Sequence, residues 1–401
     1  MGRKRHQVRL PAVLTAATAL LLAAACGSPG TAESGSGGTG STEPIKVGLV
    51  YSKSGPLASY GKQYMEGFQA GLDYATNGSK KIGDRAVEVT EVDDAGDPAK
   101  AVSAAKDLIG KGYKILAGST SSGVATQVAP IAEQNKVLFI SGPAATDAVT
   151  GAGTYTFRSG RQTSQDINTA AAFIGDVQGK KVLVFAQDSA FGQANVAGVQ
   201  AVLGAKGAKV EPLLVPASAT DFTPFATQAK EAKGDLLFVA WAGTTAQAMW
   251  TALGQQGVFE ATTVVTGLDI TATWPAYGPV ADKVNFLSHY FAGAAGTEQE
   301  KAMTERVTKA GGTVDLFTGD GFTAAQMIVH AAEKGGDPDA MVQSLSGWSF
   351  DGVKGKMTVR AEDHALLQPM FQAKLTGGAT PTAELVKKLE ADAVAPAVAT
   401  K

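Results

Sequence analysis

An alternation of short apolar runs with longer amphipathic segments constrains the fold of this chain more than any other feature of its sequence. Four strand-like apolar runs fall at 46–50, 87–92, 114–117 and 137–140. The segments between them have helical periodicity, as at 57–75, and one begins at Asp97-Pro98, an N-cap followed by a proline suited to the first helical turn. This order predicts a parallel sheet covered by helices.

The same rhythm begins again after about Arg161, with strand-like runs at 181–185, 209–215, 236–239 and 263–266. Apolar residues make up 44% of the 401 residues, enough to build the cores of two α/β units. We therefore predict two doubly wound, Rossmann-like α/β lobes joined by hinge strands. The predicted segments are lobe 1 at 44–164, lobe 2 at 165–291, a return to lobe 1 at 292–365, a return to lobe 2 at 366–380, and a peripheral C-terminal tail at 381–401.

The first 25 residues have the pattern of a signal peptide rather than of a folded segment. A cationic start is followed by an apolar run that ends in small residues and is too short for a membrane span. Cys26, the only cysteine of the chain, follows this run in a setting that resembles a bacterial lipobox. The resemblance predicts lipidation of Cys26 and anchoring to the outer face of the bacterial cell membrane. The alternative is an ordinary signal peptide with an incidental cysteine.

Residues 26–43 are rich in Gly and Ser and are interpreted as a flexible tether. A formal GxGxxG pattern at 35–40 lies inside it, but a dinucleotide site needs a preceding strand and a following helix, so we interpret the pattern as spacer.

Charge and residue usage exclude several other classes of function. With 35 Lys and Arg against 37 Asp and Glu, there is no basic excess for nucleic acid. One cysteine and four scattered histidines do not have the spacing of a metal site. The sequence lacks a Gly-x-Ser-x-Gly nucleophile motif, a His-Glu-x-x-His motif and a phosphate-binding loop with Gly-Lys-Ser/Thr. We predict no catalytic residue, no metal and no cofactor.

Two turns that follow predicted strands have the features of an anion site. The segment 119–123 has four hydroxyl side chains at the start of a predicted helix, where free N–H groups attract anions. The turn 143–146 follows the next strand at the same edge of the sheet, where open α/β sheets bind ligands. Ser122 and Thr146 are thus candidates to hold a ligand carboxylate without a buried arginine. Simple helix caps and turn residues are the alternative.

Several segments together resemble the leucine/isoleucine/valine-binding proteins, which have the type I periplasmic-binding-protein fold and serve ABC importers. The matching segments are 45–61, Asp93-Asp94 with Asp97-Pro98, 119–122, 140–146, 188–192 and 357–364. The resemblance covers about residues 44–375. It implies an extracytoplasmic protein that binds an amino acid between its lobes, delivers it to ABC permease subunits and catalyses nothing.

The resemblance also implies roles for individual residues. Positions matching Ser122, Ala144 and Thr146 hold the amino acid's carboxylate and amine, although an extra residue at Gly142 leaves the register of Ala144 and Thr146 open. Asp269 aligns with a glutamate that pairs with the ligand ammonium, and it is one methylene shorter. Read without the alignment, Asp269 is equally well explained as a helix cap.

Four aromatic residues match or neighbour positions that form the wall of the family's side-chain pocket: Tyr60, Phe191, Trp241 and Phe317. For Trp241 the alternative register is Ala242, and for all four the alternative role is core packing. Phe191 stands where the family often has tyrosine, which makes the predicted pocket more apolar.

Two other functions remain open from the sequence. The nearer one keeps the fold and binds an aromatic carboxylate, an amide such as urea, or a sensor ligand, and the change from glutamate to Asp269 motivates it. The remote one is a secreted enzyme on the same fold.

Overall fold

The computed structural model describes residues 43–376, 378 and 380–399. The predicted leader 1–25, Cys26 and the tether up to residue 42 lie outside the described residues. Within the described part of the chain, no helix is long and apolar enough to cross a lipid bilayer.

The first sheet has six strands in the order β2-β3-β1-β4-β5-β6 and is parallel except for the short pairing of β2 with β3. The strands are β1 (Ile45–Tyr51), β2 (Lys81–Ile82), β3 (Arg85–Asp93), β4 (Ile115–Gly118), β5 (Leu138–Ser141) and β6 (Thr156–Arg158). The helices between them are α1 (Ala58–Ala75), α2 (Pro98–Gly110) and α3 (Ser122–Asn135).

Helix α2 begins where the sequence predicts, because Asp97 accepts hydrogen bonds from the backbone N–H groups of Ala99 and Lys100 at 2.7 and 3.3 Å. Strands β4 and β5 are buried along their whole length, as expected for the centre of a parallel sheet covered on both faces.

The second αβ unit follows after β6 and repeats the arrangement. Its helices are α4 (Thr163–Ala171), α5 (Ala190–Val202), α6 (Thr223–Glu231), α7 (Ala246–Gln255), α8 (Val258–Ala261) and α9 (Trp274–Tyr277). Its strands are β7 (Lys181–Asp188), β8 (Lys209–Pro216), β9 (Leu236–Ala240), β10 (Thr263–Gly267) and β11 (Val284–Ser288).

After β11 the chain returns to the first lobe. This segment contains α10 (Glu298–Lys309), α11 (Thr318–Ala332), α12 (Pro338–Leu345) and a small antiparallel sheet of β12 (Ser349–Gly352), β13 (Gly355–Val359) and β14 (Leu366–Leu367). Helix α11 packs directly on α1, and glycines allow the close approach. A Cβ built on Gly67 would overlap the carbonyl oxygen of Thr318, and one built on Gly321 would overlap that of Tyr64.

The chain then crosses back to add β15 (Met370–Leu375) and β16 (Ala383–Leu389), so the second sheet has the order β16-β15-β11-β10-β9-β7-β8. The two sheets with their covering helices confirm the predicted fold class. The described chain passes between the lobes after β6, after β11 and after β14.

The prediction of a peripheral tail at 381–401 is wrong for its first part. Strand β16 pairs antiparallel with β15 and forms one edge of the second sheet. The following residues first contact the second lobe, where Asn168 on α4 donates to the carbonyl of Ala395 at 3.1 Å. They then reach the first lobe, where Arg360 donates to the carbonyl of Pro396 at 2.7 Å. An edge strand buries little apolar surface, so its sequence has no clear strand periodicity.

Candidate functional site

A cavity of about 400 Å³ lies between the two lobes, where the carboxyl ends of their parallel strands face each other. The first lobe lines it with the loops that follow β1, β4 and β5, and the second lobe with those that follow β7, β9 and β10. Leu316 and Phe317, just before α11, complete the wall. Ligands bind at this edge in open α/β sheets, so this cavity is the candidate ligand site.

Ser122 lies at the first turn of α3, is buried and lines the cavity. Its Oγ accepts a hydrogen bond from the backbone N–H of Thr146 at 3.3 Å, which joins the two predicted turns. The N-cap residue Ser121 makes no side-chain capping bond, so the N–H groups of this turn are not satisfied by their own cap. The arrangement can accept an anion in the way helix N-termini do.

The structure does not bring Ala144 and Thr146 to the cavity wall; Pro143 and Ala145 line it instead. Thr146 uses its Oγ1 to accept from the N–H of Ala148 at 3.2 Å, as a turn cap does. The carbonyls of Ala144 and Thr146 accept from Arg158 at 2.8 and 3.2 Å. The lining register therefore differs by one residue from the prediction, at the turn where the extra Gly142 left it open.

Tyr60 and Asp269 lie on opposite lobes and form a hydrogen bond across the cavity wall. The Tyr60 hydroxyl donates to Oδ1 of Asp269 at 2.8 Å and accepts from the N–H of Gly243 at 2.9 Å. Oδ1 of Asp269 also accepts from the N–H of Ile270 at 2.8 Å, so the residue supports its own turn as well as facing the other lobe. Burial raises the pKa of Asp269 to about 6, against the lowering effect of these hydrogen bonds.

A second carboxylate, Asp315, also connects the lobes and was missed at the sequence level. It accepts from the N–H of Thr271 at 3.0 Å and from Nε2 of Gln63 on α1 at 2.9 Å. Burial raises its pKa. No motif marks Asp315, because its partners come from segments 44 and 252 residues away in the chain.

All four predicted aromatic residues line the cavity. The rings of Tyr60 and Phe317 lie 4.6 Å apart, and the Trp241 ring packs edge-on against Phe222 at 5.3 Å. Ala242, the alternative register for Trp241, lines the cavity too. Tyr60 and Phe317 also belong to a small buried apolar cluster, so core packing and pocket wall coincide here.

A buried arginine does line the cavity, contrary to the expectation of a carboxylate site without one. Arg161 is 9% exposed, its Nε lies 3.2 Å from Oδ2 of Asp166, and its Nη1 donates to the carbonyl of Pro143 at 2.7 Å. Its guanidinium carbon lies 5.7 Å from the ring centre of Phe317. The available signal for this pair was an arginine three residues after β6 and an aspartate in the first turns of the helix that follows.

Each passage between the lobes contributes one polar side chain to a buried group that we call the hinge cluster, which begins at the cavity wall with Arg161. Its members are Arg161, His289 and Gln368 from the passages, with Asp320 and Lys354. Lys354 donates to Gln368 at 2.6 Å and lies 3.9 Å from Asp320, which lies 3.7 Å from His289. Burial raises the pKa of Asp320 to about 6, lowers that of Lys354 to about 8, and lowers that of His289.

Among the described residues, no three His, Cys, Asp or Glu side chains are grouped in a way that could hold a metal ion. The arrangement is suited to holding a small organic molecule between two lobes, with hydroxyl, guanidinium and carboxylate groups around aromatic walls.

Two doubly wound lobes with a ligand-sized cavity at their facing strand ends define a cleft-binding protein. A family model described as periplasmic binding protein matches residues 44–379. The chain therefore belongs to the periplasmic binding protein family, as its resemblance to the leucine/isoleucine/valine-binding proteins predicted.

Two relatives with curated names support this placement. A Leu/Ile/Val-binding protein of Rhizobium johnstonii is 26% identical over 324 residues, covering 78% of this chain and 87% of the relative. Leu/Ile/Val-binding protein homolog 6 of Brucella melitensis is 28% identical over 342 residues, covering 82% and 86%.

Solved structures give the same result. An ABC-type branched-chain amino acid transporter structure from Rhodopseudomonas palustris has a TM-score of 0.74 and 31% identity, covering 89% of this chain and all of that one. A solute-binding protein of an R. palustris ABC transporter, in complex with 4-hydroxybenzoate, has a TM-score of 0.79 and 21% identity, covering 86% and 97%. The second likeness concerns the fold alone.

Proposed function

We propose that this protein is the extracytoplasmic solute-binding component of an ABC importer. It captures an amino acid, branched-chain or otherwise hydrophobic, in the cavity between its lobes and delivers it to the permease subunits. The observation that carries the proposal is the cavity itself, which places the carboxylate of Asp269 and the helix start at Ser122 on opposite lobes, with aromatic walls around them. The names of the Rhizobium and Brucella relatives agree with this ligand class.

In this proposal the two charged ends of the ligand hold the lobes together. The ligand carboxylate binds at the first turn of α3, and its ammonium binds Asp269. An unpaired ammonium in a site that excludes water is costly, so the cleft has to supply a carboxylate. The apolar side chain then contacts Phe191, Trp241 and Phe317. Ala144 and Thr146 support the turn behind the ligand.

Function follows from a difference in affinity between two arrangements of the lobes. An open arrangement exposes both half-sites, and a ligand that touches both lobes binds the closed arrangement more tightly. The Tyr60–Asp269 and Thr271–Asp315 hydrogen bonds are formed only when the lobes meet, so they add to closure. The permease recognises the closed form, and ATP is hydrolysed by other subunits of the importer.

One observation favours a second candidate, an aromatic carboxylate. Asp269 already accepts a hydrogen bond from Tyr60, and burial raises its pKa to about 6, which weakens it as a partner for an ammonium group. A ligand without an amine would leave this pair in place. The R. palustris protein in complex with 4-hydroxybenzoate has the same fold.

Localisation is part of the proposal. The signal-like leader and the setting of Cys26 support a lipoprotein attached to the outer face of the cell membrane, with residues 26–43 as its tether. A diacylglycerol group supplies two chains, which is enough for stable anchoring.

Calorimetry with three ligands distinguishes the candidates: L-leucine, its deaminated analogue 4-methylpentanoate, and 4-hydroxybenzoate. An amino-acid-binding protein binds L-leucine more tightly than the other two ligands. In such a protein, Asp269→Asn weakens the binding of L-leucine by several kcal/mol and changes the binding of 4-methylpentanoate little. Preference for 4-hydroxybenzoate or 4-methylpentanoate in the wild type would contradict the amino-acid assignment and support the second candidate.

A further inference from the structure

Two buried arginines, three residues apart, have different surroundings. Arg158 is 1% exposed and is saturated with acceptors: its three nitrogens donate to the carbonyls of Ala144, Thr146, Gly160 and Arg161 and to Oγ1 of Thr150. These hydrogen bonds connect the turn after β5 to the first passage between the lobes. Arg158 does not line the cavity.

Arg161 lines the cavity and is not saturated. Its Nε faces Asp166 at a long 3.2 Å, and its Nη1 donates to Pro143, but its Nη2 has no hydrogen-bond partner within the described part of the chain. The partner carboxylate is also incompletely used, since Oδ1 of Asp166 is buried without a hydrogen bond among the described residues. The guanidinium is nine-tenths buried, and because Arg161 lines the cavity, the N–H groups of its Nη2 are available to an acceptor there.

The position of Arg161 indicates which side of the cavity would supply its missing hydrogen-bond acceptor. Its bond to the carbonyl of Pro143 holds it beside the turn that follows β5, and the turn is joined to Ser122 through the N–H of Thr146. The guanidinium and the helix start at Ser122 are therefore connected through one turn and line the same cavity, and both groups attract the same kind of partner. On its other side the Phe317 ring provides an apolar wall.

We infer that Arg161 is the specificity-determining residue that selects ligands with a carboxylate. The free Nη2 donates to the ligand's carboxylate together with the groups at Ser122, and Asp166 is the resident counter-ion that the ligand partly replaces. The apolar walls make the ligand an organic monocarboxylate rather than an inorganic anion. This inference rests on the proposed function and names the group common to its two candidate ligand classes.

The test uses pairs of ligands that differ only in this group: L-leucine with L-leucinamide, and 4-hydroxybenzoate with 4-hydroxybenzamide. The wild type should bind the acid of at least one pair ten- to a hundredfold more tightly than its amide, the range for a hydrogen bond to a charged group. Arg161→Gln should lower the affinity for the acid by that factor and leave the amide unchanged, so that the ratio falls to about one.

Asp166→Asn is the second variant, because removing a buried arginine can prevent folding. It frees Arg161 from its counter-ion, so the acid should bind severalfold more tightly while the amide does not change. If the Arg161–Asp166 pair is purely structural, Asp166→Asn should instead change the affinities for acid and amide equally. Arg306→Gln is the matched control, since Arg306 pairs with Asp73 on the outer side of the first lobe.

The outcomes separate this inference from the function on which it rests. If the wild type binds an acid but does not prefer it to its amide, or if Arg161→Gln keeps the wild-type ratio, the role of Arg161 is wrong and the solute-binding function stands. If Asp166→Asn weakens acid and amide alike, the role is also wrong. If neither pair binds the wild type, the proposed ligand class fails and the inference fails with it.

Discussion

Two effects on the pKa of Asp269 oppose each other. Its carboxylate lies in a buried setting that disfavours charge, and it accepts hydrogen bonds from Tyr60 and the N–H of Ile270 that favour charge. Burial is the larger effect, so the pKa is raised to about 6. Asp320 in the hinge cluster has its pKa raised to about 6 for the same reason.

These raised pKa values predict how stability depends on pH. The folded protein holds the protons of Asp269 and Asp320 up to about pH 6, while the unfolded chain releases them near pH 4, so their contribution to stability falls as pH rises from about 4 to 6. Asp269→Asn removes one of the two groups. Urea unfolding at pH 4, 5, 6 and 7 should show the variant gaining on the wild type by about 3 kcal/mol across this window. A constant difference between the two proteins would contradict the raised pKa of Asp269.

Cys26 gives a second prediction for a single residue. Cys26→Ser removes the only thiol that could carry a lipid, so the protein should move from the membrane fraction to the soluble extracytoplasmic fraction. Cell fractionation and intact mass measure the two consequences. Membrane retention equal to that of the wild type, with the same lipid-dependent mass, would exclude the anchor.

At the scale of elements, the contact between α1 and α11 holds the return segment against the first lobe. Gly67 and Gly321 face the backbone of the opposite helix, and neither position has room for a Cβ. The contact also fixes the entry to α11, where Phe317 forms part of the cavity wall. A change in this packing therefore reaches the site through the position of one ring.

Gly321→Ala should destabilise the protein by several kcal/mol, because the added methyl group overlaps the carbonyl oxygen of Tyr64 and the two helices have to separate. Thermal unfolding measures the loss. Gly110→Ala at the end of α2 is the matched control: nothing lies within 4 Å of the added atom, and alanine is the better helix former. Equal stability of the two variants would mean that the helices are not in close contact.

At the scale of the whole molecule, the C-terminal segment forms a further connection between the lobes. Val394 is buried against Met370 and Leu389 of the second lobe. Beyond it, Ala397 accepts from Arg360 at 3.1 Å and Ala399 donates to Asp363 at 2.9 Å, both on the first lobe. The segment therefore connects the second lobe to the first through its own contacts.

Arg360→Gln should release this segment from the first lobe. We expect faster amide hydrogen exchange at 396–399 and a stability loss of about 1–3 kcal/mol, the range for removing a partner of buried or charged hydrogen-bonding groups. Arg306→Gln, which breaks a half-exposed ion pair, should cost at most about 1 kcal/mol. Unchanged exchange at 396–399 would show that Arg360 does not hold the segment.

Local sequence was sufficient for the elements and for the residues that follow strand ends. Strand periodicity, the Asp97 cap and the hydroxyl-rich start of α3 act within a few residues, so they predicted the two lobes and the position of Ser122 at the cavity. Tyr60, Phe191, Trp241 and Phe317 were predicted near the ligand site by their resemblance to positions of the family and not by local signals, and all four line the cavity.

What only the tertiary structure decided depends on residues that are distant in the chain. The Tyr60–Asp269 bond joins positions 209 residues apart, and the Gln63–Asp315 bond joins positions 252 apart. Arg161 lines the cavity although no motif marks it, and Ala144 and Thr146 lie off its wall, where their carbonyls accept from Arg158 at the end of β6. Strand β16 formed because an open sheet edge was available, not because its own sequence required a strand. Contacts between distant segments cannot be predicted from either segment alone. The free energy of each contact depends on its burial, and the burial is produced by the fold as a whole.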